Sequence, residues 1–216
     1  MAFNQSVNRF RAKRGQALAN QIRQLADLLG RSIVILDVGG RAEYWENVSV
    51  SQVETIDLLN LPGDDVYIPS DSRKEVFRHR VGDARDLSDY PDKSIDLVHS
   101  NSVIEHVGNW EDMCSMAREV TRVGKSGWIQ TPAWEFPIEP HFHLPFIHWF
   151  GAPIRARSLA ISPLAVYRSY DPHARRSMVD SVNMLSRREF RLLFPNLDVH
   201  TERIIIPKSY VAHWMP

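Results

Sequence analysis

Cysteine is almost missing from this sequence: the single Cys114 excludes an internal disulfide and any structural zinc site built on several thiolates. No apolar run approaches the roughly 18 residues that a membrane span needs. The opening MAFNQSVNRFRAKRG has scattered charge and no apolar stretch, so it does not read as a secretory signal. These absences make the cytoplasm the expected location, without integral membrane contact. Neither charge sign is in excess, since 26 Lys and Arg balance 26 Asp and Glu. A net charge of zero argues against general nucleic-acid binding, which needs a dense basic footprint. Internal repeats and low-complexity tracts are also lacking, and 216 residues suffice for one sizeable domain with a hydrophobic core.

The balanced charge is unevenly spread. Residues 1–31 carry six basic residues against one acid, residues 32–150 twenty acids against ten bases, and residues 151–203 nine bases against five acids. Basic stretches of this kind are most simply solvated faces, although they suit contact with an anionic acceptor or partner. Helical spacing of Leu18, Ile22, Leu25, Leu28 and Leu29, with Gly30 as a stop, predicts a helix over 7–30. Four β-branched runs follow, in SIVILDVGG, VETIDLLN, FRHRVGDARDL and SIDLVHSNSVIEHV. An amphipathic helix over 110–123 and a fifth run in GWIQTPA come next. Runs separated by crossover-length segments predict a mainly parallel sheet. SRREFRLLFP then reads as a helix. LDVHTERIII and KSYVAHW read as two strands, and the short Pro207-Lys208 link between them predicts an antiparallel pair.

Polar residues recur at successive strand ends. Asp37 precedes Gly39-Gly40; Asp57 follows twenty residues later; Gly82-Asp83-Ala84 closes the third strand and Ser100-Asn101 the fourth. In an adjacent parallel arrangement these groups line one crevice, where glycines admit a ligand to the backbone and an acid can take ribose hydroxyls. Each acid alone reads equally well as a cap or turn residue; the ordered set favours ligand binding. A nicotinamide-dependent oxidoreductase would need G-x-G-x-x-G, which is absent.

Together, ILDVGG, TIDLLN, VGDARDL, SIDLVHSNSVIEHV and GWIQTPAWEFPIEP resemble the ordered motifs of class I S-adenosylmethionine-dependent methyltransferases, in particular methyltransferase type 11. The match runs from about Ile33 to Ala133 and resumes in LFPNLDVHTERIIIPKSYVAH. The resemblance implies a Rossmann-like α/β fold, a doubly wound and mainly parallel seven-stranded sheet with a C-terminal antiparallel hairpin. It also implies S-adenosylmethionine as cofactor. Asp37, Gly39 and Gly40 would border the methionine moiety, Asp57 the ribose, Asp83 with Ala84 the adenine, and Asn101 the sulfonium end. The family loop usually reads G-x-G-x-G, whereas this one reads Gly39-Gly40-Arg41-Ala42-Glu43. A loop on a different path, anchored by Tyr44 and Trp45, accounts for that. The alternative is a catalytically inactive relative that binds or scaffolds.

One domain over 1–216 is expected, with a helical segment over 1–31 and an insertion over 134–185. That insertion is far longer than a plain connection needs, and it reads as a lid or substrate wall that selects a small-molecule acceptor. Within it Glu139, His141 and His143 are candidate catalytic groups, a neutral His or a carboxylate serving as base. His148 belongs to the same cluster in sequence. His-x-His with a nearby acid can also hold zinc or iron, but Pro137, Pro140 and Pro145 disturb the local geometry, and the expectation is no metal. His106 after Glu105 reads as a structural hydrogen-bonding residue. FHLPFIHWF is expected to be buried under the lid. Arginines 155, 157, 168, 175 and 176 suit a phosphate or carboxylate. The acceptor class they suggest is a sugar nucleotide, a lipid intermediate or a carrier-bound acyl chain. The sequence sets no oligomeric state.

Overall fold

A computed structural model describes residues 2–64, 66–68 and 74–216. Helix α1 (Ala2–Leu29) leads into β1 (Ile33–Val38), β2 (Val53–Asn60), β3 (Phe77–Val81) and β4 (Ile95–Asn101). Helix α2 (Trp110–Val123) passes directly into β5 (Gly124–Pro132). Four short helices follow: α3 (Ala152–Ser158), α4 (Ala165–Ser169), α5 (Pro172–Asp180) and α6 (Arg187–Leu193). Strands β6 (Asp198–Arg203) and β7 (Pro207–Trp214) end the chain's regular structure. The seven strands lie in the order β3-β2-β1-β4-β5-β7-β6, with β1 parallel to β2 and β4, β2 parallel to β3, and β6 antiparallel to β7. This is the expected α/β sheet with its terminal hairpin. The turn of that hairpin falls at 204–206 rather than at Pro207-Lys208, because Pro207 already pairs with Arg203.

The chain divides into two compact units. The first holds residues 1–101, 119–129 and 214–216; the second holds 102–118 and 130–213.

In the first unit the central strands are buried almost throughout, as the Val, Ile and Leu of a covered parallel sheet require. Leu18, Ile22 and Leu25 of α1 are fully buried, whereas Leu28 is 64% exposed, so the helix's apolar stripe is narrower than its leucines suggest. Edge strand β3 buries Phe77 but exposes the following RHRV residues, whose arginines and histidine discourage pairing with another chain. The Asp96 carboxylate at the start of β4 accepts two bonds from Arg31 (2.8 and 2.9 Å), one from Lys125 (2.8 Å) and the Val34 N–H (3.0 Å). Burial works against its charge, but these partners outweigh it and hold Asp96 below the usual carboxylate range. Between β1 and β4 the strand order reverses, and open α/β sheets bind ligands outside the carboxyl ends of strands at such a point.

The second unit has its own core, formed by Phe142, Ile147, Leu159, Val179 and Val182. The segment after β5 is therefore a folded layer rather than a loose connection. Helix α6 opens with a capping box, in which Ser186 and Glu189 satisfy each other's backbone donors.

Candidate functional site

At the carboxyl end of β1, Asp37 is buried and already engaged. Its Oδ2 accepts the Trp45 indole N–H at 2.7 Å, and its Oδ1 lies 2.6 Å from His99 Nδ1 on β4. A carboxylate only accepts, so His99 Nδ1 donates, and its Nε2 is buried with no hydrogen bond among the described residues. Trp45 is buried in a short 3₁₀ helix (Ala42–Asn47), exactly where the family's later glycines are missing. Tyr44 and Trp45 both pack on the His99 ring, at 4.7 and 5.0 Å between centroids. Gly39 takes φ +66°, and a Cβ on Gly40 would fall inside the Asp37 carboxylate. The loop thus keeps the two glycines it needs and is latched to Asp37 by Trp45.

Asp57 pairs opposite Leu36 and lies three residues before the end of β2; the strand closes on Asn60, whose amide donates to the Gly40 carbonyl at 3.1 Å. Asp57 Oδ2 meets Arg80 Nε at 3.3 Å, and Oδ1 is buried without a partner in the protein. A cavity of about 260 Å³ is lined by Asp57, Leu59, Arg80, Gly82, Leu87 and Tyr90, among others. Asp83 is gripped by the Arg85 side chain and N–H (2.6–3.0 Å), and the Arg85 bond holds its pKa below the usual range. Ala84 follows in the same turn. Asn101 Oδ1 accepts from Arg14, a buried arginine of α1. No pattern in the sequence singles out Arg14, because one basic residue on a basic helix looks like a solvated one.

In the second unit, Glu139 is fully buried. Its Oε1 lies 2.5 Å from His141 Nδ1, and its Oε2 accepts the Phe142 N–H at 2.5 Å. His141 Nε2 lies 3.0 Å from His106 Nε2, and His106 Nδ1 donates to the Ser181 carbonyl at 3.0 Å. Burial disfavours the charged form of His141, but the Glu139 carboxylate outweighs it and raises the pKa. Neighbouring Glu105 is buried, accepts the Thr131 hydroxyl at 3.0 Å, and is pushed up to about 7 by desolvation. His143 is exposed at φ +55° and stands apart from this cluster.

Residues 39–129 match the family model described as a methyltransferase domain. That stretch of the chain is similar to methyltransferase domains. Among curated proteins none matches the chain. Solved structures share its fold at low identity. An O-methyltransferase family protein from Burkholderia thailandensis is 12% identical with a TM-score of 0.52, over 96% of this chain and 60% of that one. The N-terminal domain of EvdMO1, in the presence of SAH and D-fucose, is 14% identical with a TM-score of 0.52, over 94% and 81%. The PH0226 protein from Pyrococcus horikoshii is 17% identical with a TM-score of 0.52, over 93% and 90%. The cofactor expected from the methyltransferase-domain match is S-adenosylmethionine. The first unit's residues fit that group: among the described residues the buried Asp57 Oδ1 and His99 Nε2 are polar atoms without hydrogen-bond partners, and Asp57 lines a cavity.

The second unit has a further cavity of about 280 Å³, lined by Trp110, Trp134, His148, Arg155, Asn183 and Glu189, among others. His148 Nε2 donates to the Trp134 carbonyl at 2.8 Å, and the buried Nδ1 has no hydrogen bond among the described residues, with the Phe136 backbone close to the ring. Burial lowers its pKa and keeps the ring neutral. Arg155 bonds the Val182 carbonyl at 3.2 Å, while its Nε is buried without a partner. Of the three candidate catalytic residues, Glu139 and His141 come together with Glu105 and His106; His148 and Arg155 line the cavity instead. Among the described residues no helix is long and apolar enough to cross a membrane.

Proposed function

We propose that this protein transfers a methyl group from S-adenosylmethionine to a hydroxyl oxygen of a small anionic acceptor bound in the second-unit cavity. The observation that carries this reading is the pairing of a neutral base with a cation there: His148 Nδ1 and Arg155 Nε both lack hydrogen bonds among the described residues. A guanidinium with an open edge suits a carboxylate or phosphate. A neutral imidazole with its lone pair fixed by the opposite N–H is suited to take a hydroxyl proton as the methyl arrives.

When bound, the cofactor supplies an electrophilic methyl on its sulfonium. Asp57 takes the ribose hydroxyls, Asp83 with Ala84 the adenine edge, Gly39 and Gly40 border the methionine moiety, and Asn101 faces the sulfonium end. Asp37 acts indirectly, through Trp45 and His99, by holding the loop. Displacement at a methyl group needs no covalent help, so alignment and one proton acceptor suffice.

Thermal unfolding with S-adenosylmethionine, S-adenosylhomocysteine or NAD tests the cofactor half. A ligand at 100 times its Kd adds about 2.7 kcal/mol, roughly 5–10 °C here. No shift at millimolar adenosyl ligand would put the inactive binding or scaffolding relative in the lead. Turnover on a panel of hydroxylated phosphates and carboxylates tests the rest. Arg155→Ala should raise acceptor KM about 10–100-fold, the worth of a charge-assisted bond, with cofactor affinity unchanged. His148→Gln should lower kcat by about 10²–10⁴. Undiminished turnover in both variants would sink the assignment.

A further inference from the structure

The histidine pair in the second unit presents a problem that its hydrogen bonds do not solve. His106 Nδ1 faces the Ser181 carbonyl, which can only accept, so Nδ1 must carry a hydrogen. His141 Nδ1 faces the Glu139 carboxylate, itself braced by the Phe142 N–H, and must also donate. In their neutral forms both rings therefore point lone pairs at each other across 3.0 Å. Two lone pairs at that distance repel unless a cation lies between or beside them. The candidates are a shared proton and a metal ion.

Four observations favour the metal. One donor atom from each of Glu105, His106 and His141 lies within 4.8 Å of the others. Glu105 is fully buried, its Oε2 is held by the Thr131 hydroxyl, and its Oε1 has no hydrogen bond among the described residues. A shared proton leaves that carboxylate oxygen unused, whereas a cation uses it. The distances also agree, since nitrogens about 2.1 Å from one ion and roughly 90–110° apart lie about 3.0–3.4 Å from each other. Finally, each imidazole has an oxygen acceptor on its far nitrogen, Glu139 for His141 and Ser181 for His106. Outer partners of this kind orient ligating histidines and raise their basicity.

We propose that Glu105, His106 and His141 bind a divalent transition-metal cation of the zinc class, with Glu139, Ser181 and Thr131 positioning the ligands. Two imidazoles and one carboxylate are a borderline donor set, suited to Zn²⁺, Co²⁺ or Fe²⁺ rather than to Mg²⁺ or Ca²⁺. Three protein ligands leave at least one position for an oxygen ligand, whose proton the ion would make easier to lose. The assignment departs from the absence of metal expected from the sequence. There His-x-His drew attention to His143, while the partners of His141, Glu105 and His106, lie some 35 residues upstream. It does not depend on the methyl-transfer reading.

The test uses full-length protein without a histidine tag, stripped with chelator and titrated with Co²⁺. The expected result is a saturable visible d–d spectrum at one equivalent, displaced by Zn²⁺. Glu105→Gln and His141→Ala should each weaken binding at least about tenfold, while His143→Ala binds as the unaltered protein does. Absence of a saturable band, or binding undiminished in both ligand variants, overturns the site. Should those variants fail to fold, ¹⁵N spectra of the histidine rings in the unaltered protein decide. Added Zn²⁺ must move the Nε2 signals of His106 and His141 and leave those of His99 in place. Stripped protein that keeps one shared proton on the pair and ignores Zn²⁺ refutes the proposal.

Discussion

Replacing Trp45 by Phe tests whether the altered glycine loop is held by Asp37. The indole N–H bonds a buried carboxylate at 2.7 Å, so its loss removes a charge-assisted bond, about 1.5–3 kcal/mol. The smaller ring also leaves a void of about 40 Å³ in a fully packed position, which costs about 1 kcal/mol more. The sum is about 3 kcal/mol, equivalent to a fall of roughly 6–12 °C in Tm for a chain of this length. His99 should keep its bond to Asp37, because that contact comes from β4 and does not involve the loop. Unfolding in urea and calorimetric titration with S-adenosylhomocysteine measure the two consequences. Stability should drop by the stated amount, and cofactor affinity should fall with it, since Gly39 and Gly40 enter the same loop. A Tm change under about 2 °C would refute the energetic argument. A large drop with unchanged affinity would refute the idea that Trp45 sets the loop's path.

Asp96→Asn should cost about 2–3 kcal/mol, below the 3–5 of a fully buried pair because Arg31 and Lys125 stay partly in water. Since the folded-state pKa of Asp96 is lowered, its contribution is complete above the ordinary value near 3.9 and is lost as pH falls through the lowered one. Acid unfolding of the Asn variant should therefore show a shallower pH dependence in that window. Gly127→Ala would drive a Cβ into the Trp214 ring, and urea unfolding should report a loss of about 1–3 kcal/mol. Asp57→Asn should weaken cofactor binding about 10–100-fold by titration calorimetry, yet change stability by no more than about 1 kcal/mol, because its ion pair among the described residues is with a half-exposed Arg80.

Much of the fold was legible because buried parallel strands advertise themselves. VETIDLLN became β2 residue for residue, and the Met113, Met116, Ala117, Val120, Val123 stripe of α2 is buried throughout. Periodicity served less well where burial is one-sided: β3 is mostly exposed, and Leu28 follows the helical stripe yet faces water. The order of strand-end acids was readable, but their partners were not. Asp37 is occupied by Trp45 and His99, and Asp83 by Arg85, contacts that depend on rotamers and on neighbours sixty residues away. The second-unit site was the least legible, since its residues lie far apart in the sequence. Glu105 and His106 precede α2, and His141, His148 and Arg155 lie in the layer after β5.

One feature is common to the histidines of these sites. His99, His106, His141 and His148 each have one ring nitrogen facing an oxygen that only accepts: Asp37, the Ser181 carbonyl, Glu139 and the Trp134 carbonyl. In its neutral form each therefore has its tautomer fixed and presents a lone pair on its other nitrogen. What differs is what that lone pair meets. For His148 it is a cavity with an arginine, which suits a proton acceptor; for His106 and His141 it is another lone pair and a buried carboxylate, which calls for a cation. Histidine chemistry here is thus assigned by the second nitrogen's surroundings. Sequence spacing, which made His141 and His143 a pair, carries no information about that nitrogen.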